Sequence, residues 1–254
     1  LRIELLGSYL DCLTMSETLE EIERIIDARK PTQHVVINAN KINLMYQDEK
    51  LRQIVNSAPL INADGSSILL AGKILGHKIP ERVTGIDLFE KLLDISVVKG
   101  YRPFFLGATQ EVIETLQTHF QEKYPNMSFA GFRNGYFQTE ESSEVVRQIR
   151  ESKADILFLG FSSPQKEYWA NEYLNELDVP FVMGVGGSFD VIAGKTTRAP
   201  KWMQKLGMEW FYRFIQEPKR MFKRYFVGNL QFLGHICKAK VQGLQKKRGN
   251  KSAN

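Results

Sequence analysis

Six short apolar runs, each halted by a polar residue or a glycine, constrain this chain more than any other feature. They are "HVVINA" (34–39), "APLINA" (58–63), "RPFFLG" (102–107), "MSFAGF" (127–132), "ADILFLG" (154–160) and "PFVMGVG" (180–186). Continuous apolarity without alternation marks strands covered on both faces, which is the habit of parallel sheets. Between them lie stretches with apolar residues three and four apart, at 111–123, 140–152 and 165–177, which predict helices. Repeated βα alternation predicts an α/β body with a mainly parallel sheet and helices on both faces. The amino-terminal "LRIELLGSYLDCL" predicts a small antiparallel pair, and Thr14 with Glu17 forms a capping box for a helix reaching Arg29. With 254 residues, 43% of them hydrophobic, the chain has material for a sizeable core.

Charge divides the chain. From Lys195 onward fifteen Lys and Arg face only Glu209 and Glu217, a net of +13, whereas residues 1–194 hold nineteen basic and twenty-seven acidic residues, a net of −8. We therefore read 1–194 as the catalytic body and 195–254 as a basic, helical appendage. Such asymmetry points to a polyanion, either nucleic acid or an anionic membrane surface. The longest uncharged run of the appendage, "YFVGNLQFLGHIC" (225–237), falls short of the roughly 20 apolar residues that a span requires. Interfacial binding is expected instead, with Trp210, Phe211 and Phe214 on an apolar side and Arg213, Lys219, Arg220, Lys223 and Arg224 offering cations. Cys12 and Cys237 have no metal or redox spacing, and the opening residues do not read as a signal peptide.

In an open parallel sheet, chemistry gathers at the carboxyl ends of strands. Asn38 and Asn40 follow the first core strand, where they either cap a helix or face a ligand. Asp64 in "PLINADGSS" is either a turn residue beside Gly65 or a general base. "FLGAT" resembles a generic strand–glycine–helix anion contact. Gln165, after Pro164 in "GFSSPQKE", either presents its amide at a helix mouth or meets solvent. "GVGGSFD" lets backbone approach a ligand closely, with Ser188 and Asp190 at hand. It is not a dinucleotide fingerprint, which argues against a nicotinamide oxidoreductase. Phosphate-loop, serine-elbow and zinc-protease motifs are missing, the four histidines lack ligand spacing, and no D-x-D pair is present. We expect neither a metal nor a cofactor. If the chain is a transferase acting on a nucleotide-sugar diphosphate, arginine must do the work of that missing pair.

"NADG" (62–65), "ERVTGIDLFEKLL" (81–93), "FFLGA" (104–108), "GFSSPQKEYW" (160–169) and the long block "GVGGSFDVIAGKTTRAPKWMQKLGMEWFYRFIQEPKRMFKRY" (184–225) together resemble the WecG/TagA/CpsF glycosyltransferases. The resemblance runs from about Asn38 to Phe232. It implies a Rossmann-like body, a membrane-binding appendage, and inverting transfer of N-acetylmannosamine or a related sugar. The donor would be a UDP-sugar and the acceptor a polyprenyl-diphosphate-linked sugar of a bacterial envelope glycan. The enzyme would sit peripherally on the cytoplasmic face of the cell membrane. The resemblance also implies that Asp64 is the base and that Asn38, Asn40, Arg82, Thr84 and Gln165 line the donor pocket. Arg82 would meet the departing β-phosphate, its alternative being an ion pair with Glu81 or Asp87. Ser188 and Asp190 would contact uridine or diphosphate, and Arg213, Arg220 and Arg224 would fold over the diphosphate as the appendage docks. Some members carry a threonine near the first asparagine of "INAN", where this chain has Ile37 and Ala39, so the sugar is left open. A UDP-hexose or UDP-uronate transferase of exopolysaccharide assembly is the alternative. A nucleic-acid-binding protein is a remote one, since the body shows no nucleic-acid fold signature. Homo-oligomerisation is compatible with these features and not specified by them.

Overall fold

The computed structural model describes residues 1–222 and 226–251. It opens with β1 (Arg2–Leu5) and β2 (Ser8–Asp11), an antiparallel hairpin in which Leu6 and Gly7 both take positive φ, at 52° and 75°. That pair of angles suits the right-handed twist of a two-residue hairpin. Arg2 closes the hairpin by donating to Asp11 Oδ1 and Oδ2 at 2.8 and 2.7 Å, and the Asp11 carboxylate accepts from the Ile61 amide at 2.8 Å. The hairpin is thereby tied to the main sheet. Helix α1 (Met15–Asp27) starts on the predicted capping box, with Thr14 and Glu17 satisfying each other's backbone amides. It ends before Arg29, which takes φ 51°.

All six apolar runs contain strands. They are β3 (Thr32–Ile37), β4 (Leu60–Ala63), β5 (Pro103–Gly107), β6 (Gly131–Arg133), β7 (Ile156–Gly160) and β8 (Phe181–Gly184). They pair in the order β4-β3-β8-β7-β5-β6, and every pairing is parallel. Every residue of β3, β4 and β5 is buried, which is why these segments are mainly apolar; the buried polar side chains of His34 and Asn62 answer each other across β3 and β4 at 2.9 Å. The strands stop earlier than the apolarity does. The Asn38 side chain accepts from the Lys41 amide at 3.0 Å and caps α2 (Ala39–Gln47), so β3 yields at Ile37. β6 begins only at Gly131, because the Met127 amide first closes a turn onto Tyr124 O.

Side chains alternate between two covered faces. On one, Phe105, Phe158 and Phe181 meet α1, α5 (Gly85–Lys99) and α6 (Gln110–Lys123) around Phe89 and Phe120. On the other, Phe104, Leu157 and Val182 pack against α7 (Ser142–Glu151) and α8 (Gln165–Leu177). On that same side, Val35, Ile37 and Ile61 meet α2, α3 (Glu49–Ser57) and α4 (Ser66–Leu75). Gly107 and Gly160 let β5 and β7 meet at their carboxyl ends, since a Cβ on Gly107 would stand 2.6 Å from Gly160 Cα.

Past β8, α9 (Ser188–Ile192) leads into the appendage, whose described residues are mainly helical, as expected: α10 (Lys201–Lys205), α11 (Glu209–Gln216), α12 (Pro218–Phe222) and α13 (Gly228–Lys251). It does not stand apart. Phe232 and Ile236 of α13 are buried in the core formed with α2 and α4, and His235 stacks on Tyr46 at 3.7 Å. Asn43 donates to Gly228 O at 2.7 Å.

Candidate active site

A cleft of about 790 Å³ opens over the carboxyl ends of β3, β4, β7 and β8. Its floor comes from Asn38, Asn40, Asp64, Ser162 and the Gly184–Ser188 turn, and its sides from Arg82, Thr84 and Asp190. Trp210 and Arg213 of α11 and Phe232, Leu233 and Ile236 of α13 close it from above. The cleft thus joins polar strand ends to an apolar wall supplied by the appendage. Ligand sites in open α/β sheets have this address.

Asp64 follows β4, and its amide donates to Ile37 O at 2.8 Å. The helix after it, α4, takes Gly65 at φ 109° as its first cap and has no side-chain cap bond. The carboxylate is therefore not spent on starting a helix. Burial pushes the Asp64 carboxyl above the ordinary carboxylate range, and the negative charge of Glu209 adds to this; Arg82, Arg213 and a hydrogen bond from Asn38 pull it back. A carboxylate raised in this way is a stronger proton acceptor than a free one.

Arg82 pairs with neither Glu81 nor Asp87. It donates to Glu209 Oε2 at 3.1 Å and to Gln204 O at 3.3 Å, both from the appendage. Glu81 instead accepts from the Met15 amide, while Asp87 takes Arg198 at 2.5 Å. Arg198 also lies 3.5 Å from Glu90 and from Glu209, so the Glu209 carboxylate is shared by two guanidinium groups.

The remaining predicted residues differ in how committed they are. Thr84 lines the cleft and caps α5, accepting from the Asp87 amide at 3.2 Å. The Ser188 hydroxyl donates to Val185 O at 2.8 Å and is buried, so its hydrogen is already engaged. Asn40, Asp190 and Arg213 line the cleft. Gln165 is exposed at the first residue of α8 and is not among the lining residues; its neighbour Lys166 is. Arg224, together with the side chain of Arg220, lies outside the described residues. Sequence reasoning passed over Lys41, Lys166 and Glu209 and read Trp210 only as an interfacial side chain, yet all four line the cleft. Nothing local in the sequence marks them, because each is brought in by tertiary packing.

Among the described residues, no group of three His, Cys, Asp or Glu side chains is gathered to hold a metal ion. No described helix is long and apolar enough to cross a membrane.

One raised carboxylate and several cations thus meet over the strand ends of a parallel α/β sheet, an arrangement suited to group transfer. The family model of the WecG/TagA/CpsF glycosyl transferases matches residues 3–246. Proteins of Staphylococcus aureus strains MW2, NCTC 8325 and COL, each named N-acetylglucosaminyldiphosphoundecaprenol N-acetyl-beta-D-mannosaminyltransferase, are similar at 34% identity over 245 residues, covering 94% of this chain and 93% of theirs. The chain belongs to the WecG/TagA/CpsF glycosyltransferase family.

Proposed function

We propose that this enzyme transfers N-acetylmannosamine from a UDP-sugar to N-acetylglucosaminyl-diphospho-polyprenol, with inversion and without a metal ion. The acceptor and the sugar follow the names of the staphylococcal relatives. The observation that carries the mechanism is the Asp64 carboxylate, raised by burial, in a cleft that also holds Arg82. The acceptor hydroxyl oxygen attacks the anomeric carbon while its proton passes to Asp64. The bond from that carbon to the β-phosphate oxygen breaks, and its electron pair leaves with UDP. One carboxylate suffices for such a single displacement. Charge gathers on the leaving phosphate, where a guanidinium such as Arg82 can meet two oxygens in one plane.

The appendage supports work at a membrane surface. Trp202, Leu206, Trp210, Ile215, Phe222, Phe226 and Leu230 are exposed on its helices, in the part of the chain that carries the excess of Lys and Arg. Apolar side chains with interleaved cations suit the headgroup boundary of an anionic leaflet. We place the enzyme peripherally on the cytoplasmic face, where a lipid-linked acceptor would meet a nucleotide donor. Arg213, and with it Arg220 and Arg224, would close over the diphosphate on docking.

The reading is tested by UDP release from a panel of UDP-sugars with one synthetic N-acetylglucosaminyl-diphospho-lipid, with and without EDTA. UDP-N-acetylmannosamine should be the best donor, and chelation should leave the rate intact. A preference for UDP-glucose or a UDP-uronate would replace the donor, and loss in EDTA restored by Mg²⁺ would overturn metal independence.

A further inference from the structure

We propose that Glu209 is a displaceable stand-in for the donor diphosphate, holding Arg82 before the donor binds and passing to Arg198 when the diphosphate takes its place. The proposal rests on the glycosyl-transfer reading, in which Arg82 meets the departing phosphate. Glu209 is the first residue of α11, and its carboxylate lies between two guanidinium groups. Oε2 accepts from Arg82 Nη1 at 3.1 Å, while Oε1 lies 3.5 Å from Arg198 Nε. Arg82 Nη2 donates to Gln204 O at 3.3 Å, so both outer nitrogens of Arg82 are engaged by the appendage. A guanidinium offers one and the same fork to a carboxylate and to a phosphate, and the two anions therefore compete for it. Glu209 must yield for the donor to be held.

Its second seat is already built. Arg198 Nη2 donates to Asp87 Oδ1 at 2.5 Å and Nη1 reaches Glu90 Oε2 at 3.5 Å, but the buried Arg198 Nε makes no hydrogen bond. A buried donor left without an acceptor is costly. The Glu209 carboxylate would satisfy it by moving less than about 1 Å, from 3.5 Å to hydrogen-bond length. What keeps it on Arg82 is charge: Glu209 supplies the one ion pair of Arg82 among the described residues, whereas Arg198 already has Asp87 and Glu90. Both arginine side chains are 22% exposed and Glu209 24%, so water screens these pairs only in part. A diphosphate on Arg82 replaces the charge that Glu209 supplied and frees it to fill the open donor of Arg198. The exchange is where donor binding reaches the appendage, since Trp210 and Arg213 follow Glu209 on α11 and line the cleft.

The full chain should be titrated calorimetrically with UDP and with uridine, as wild type, Glu209→Gln, Arg198→Lys and the double variant. Glu209→Gln removes the competing charge, so UDP should bind about threefold to tenfold more tightly, the scale of a partly exposed charge pair. Uridine has no phosphate and should change by less than about twofold on the same reasoning. Arg198→Lys leaves a cation for Asp87 but removes the open Nε, so Glu209 loses its second seat and UDP should weaken by about threefold or more. In the double variant that weakening should vanish, because no carboxylate is left to be moved. UDP bound by Glu209→Gln no more tightly than by wild type overturns the proposal and leaves the glycosyl-transfer reading standing. An equal change for uridine overturns it too, since that would signal repacking of the pocket. A loss in Arg198→Lys that persists in the double variant would make Arg198 a support in its own right and overturn the exchange. Should Arg198→Lys fail to fold, the UDP and uridine titrations of Glu209→Gln decide alone. Failure of the wild type itself to bind UDP would overturn the glycosyl-transfer reading and the proposal together.

Discussion

At the scale of single residues, Asp64 carries two consequences of one cause. Its pKa is raised chiefly by burial, so the native state favours the protonated acid relative to the unfolded chain. The sign follows directly. Above the raised value the buried charge costs stability, and the cost is relieved as pH falls through that value. Asp64→Asn should therefore raise the melting temperature at pH 7, with the gain shrinking toward acid pH. A variant that melts lower at pH 7 would mean that the carboxylate is a stabilising partner and not a strained one. The same shift predicts that kcat/KM falls on the acid side at a pH above the ordinary aspartate range, near 3.9; an acid limb at or below that range would remove Asp64 as the titrating base. Asp64 and Asn38 were legible because strand ends in a parallel sheet are few and polar residues there stand out. Lys166 was not, since consecutive helical residues point about 100° apart and sequence alone does not say whether Gln165 or Lys166 faces inward. The partner of Arg82 was equally hidden, because Glu209 lies 127 residues away.

Among elements, the central strands were legible because burial on both faces favours apolar runs, whereas the edge strand β6 is only half-buried. Their ends were less so. Ala39 is as apolar as a strand residue, yet the Asn38 cap turns it into the first residue of α2. The appendage was legible as basic and helical, but its docking was not, since Phe232 and Ile236 sit in the uncharged run read as interfacial and are buried only because α2 and α4 meet them. Phe232→Ala removes a side chain that is 3% exposed, and a core Phe→Ala change costs about 3–5 kcal/mol. We expect the loss to fall on the docking of α13, read as faster hydrogen exchange across residues 228–243 with β3 and β4 still protected. Unchanged exchange in α13 would show that Phe232 does not anchor it.

For the molecule as a whole, an acidic body and a basic appendage make a particle with a direction. On the proposed reading the appendage's net of +13 would draw it to an anionic leaflet, at about 1 kcal/mol per basic residue near the surface. The exposed Trp202, Trp210, Phe222 and Phe226 would then supply apolar insertion. Binding to vesicles containing phosphatidylglycerol should weaken as salt rises but persist in part, because the apolar share is not screened. Complete release at moderate salt would leave electrostatics alone, and binding equally strong on neutral vesicles would deny the basic residues their part. Trp210, Arg213 and Phe232 line the cleft, so on the proposed reading seating at a membrane would be coupled to completing the site.

The central claim is that Asp64 takes the acceptor's proton in a sugar-transfer cleft. Its most direct test is the rate of UDP release by Asp64→Asn beside wild type, at saturating UDP-N-acetylmannosamine and a lipid-diphosphate-linked N-acetylglucosamine acceptor. Losing a general base costs roughly 10² to 10⁴ in rate, so a fall of at least about 10²-fold with UDP affinity nearly unchanged is the predicted result. Asp64→Asn turning over at the wild-type rate would contradict it and return Asp64 to the role of a turn residue.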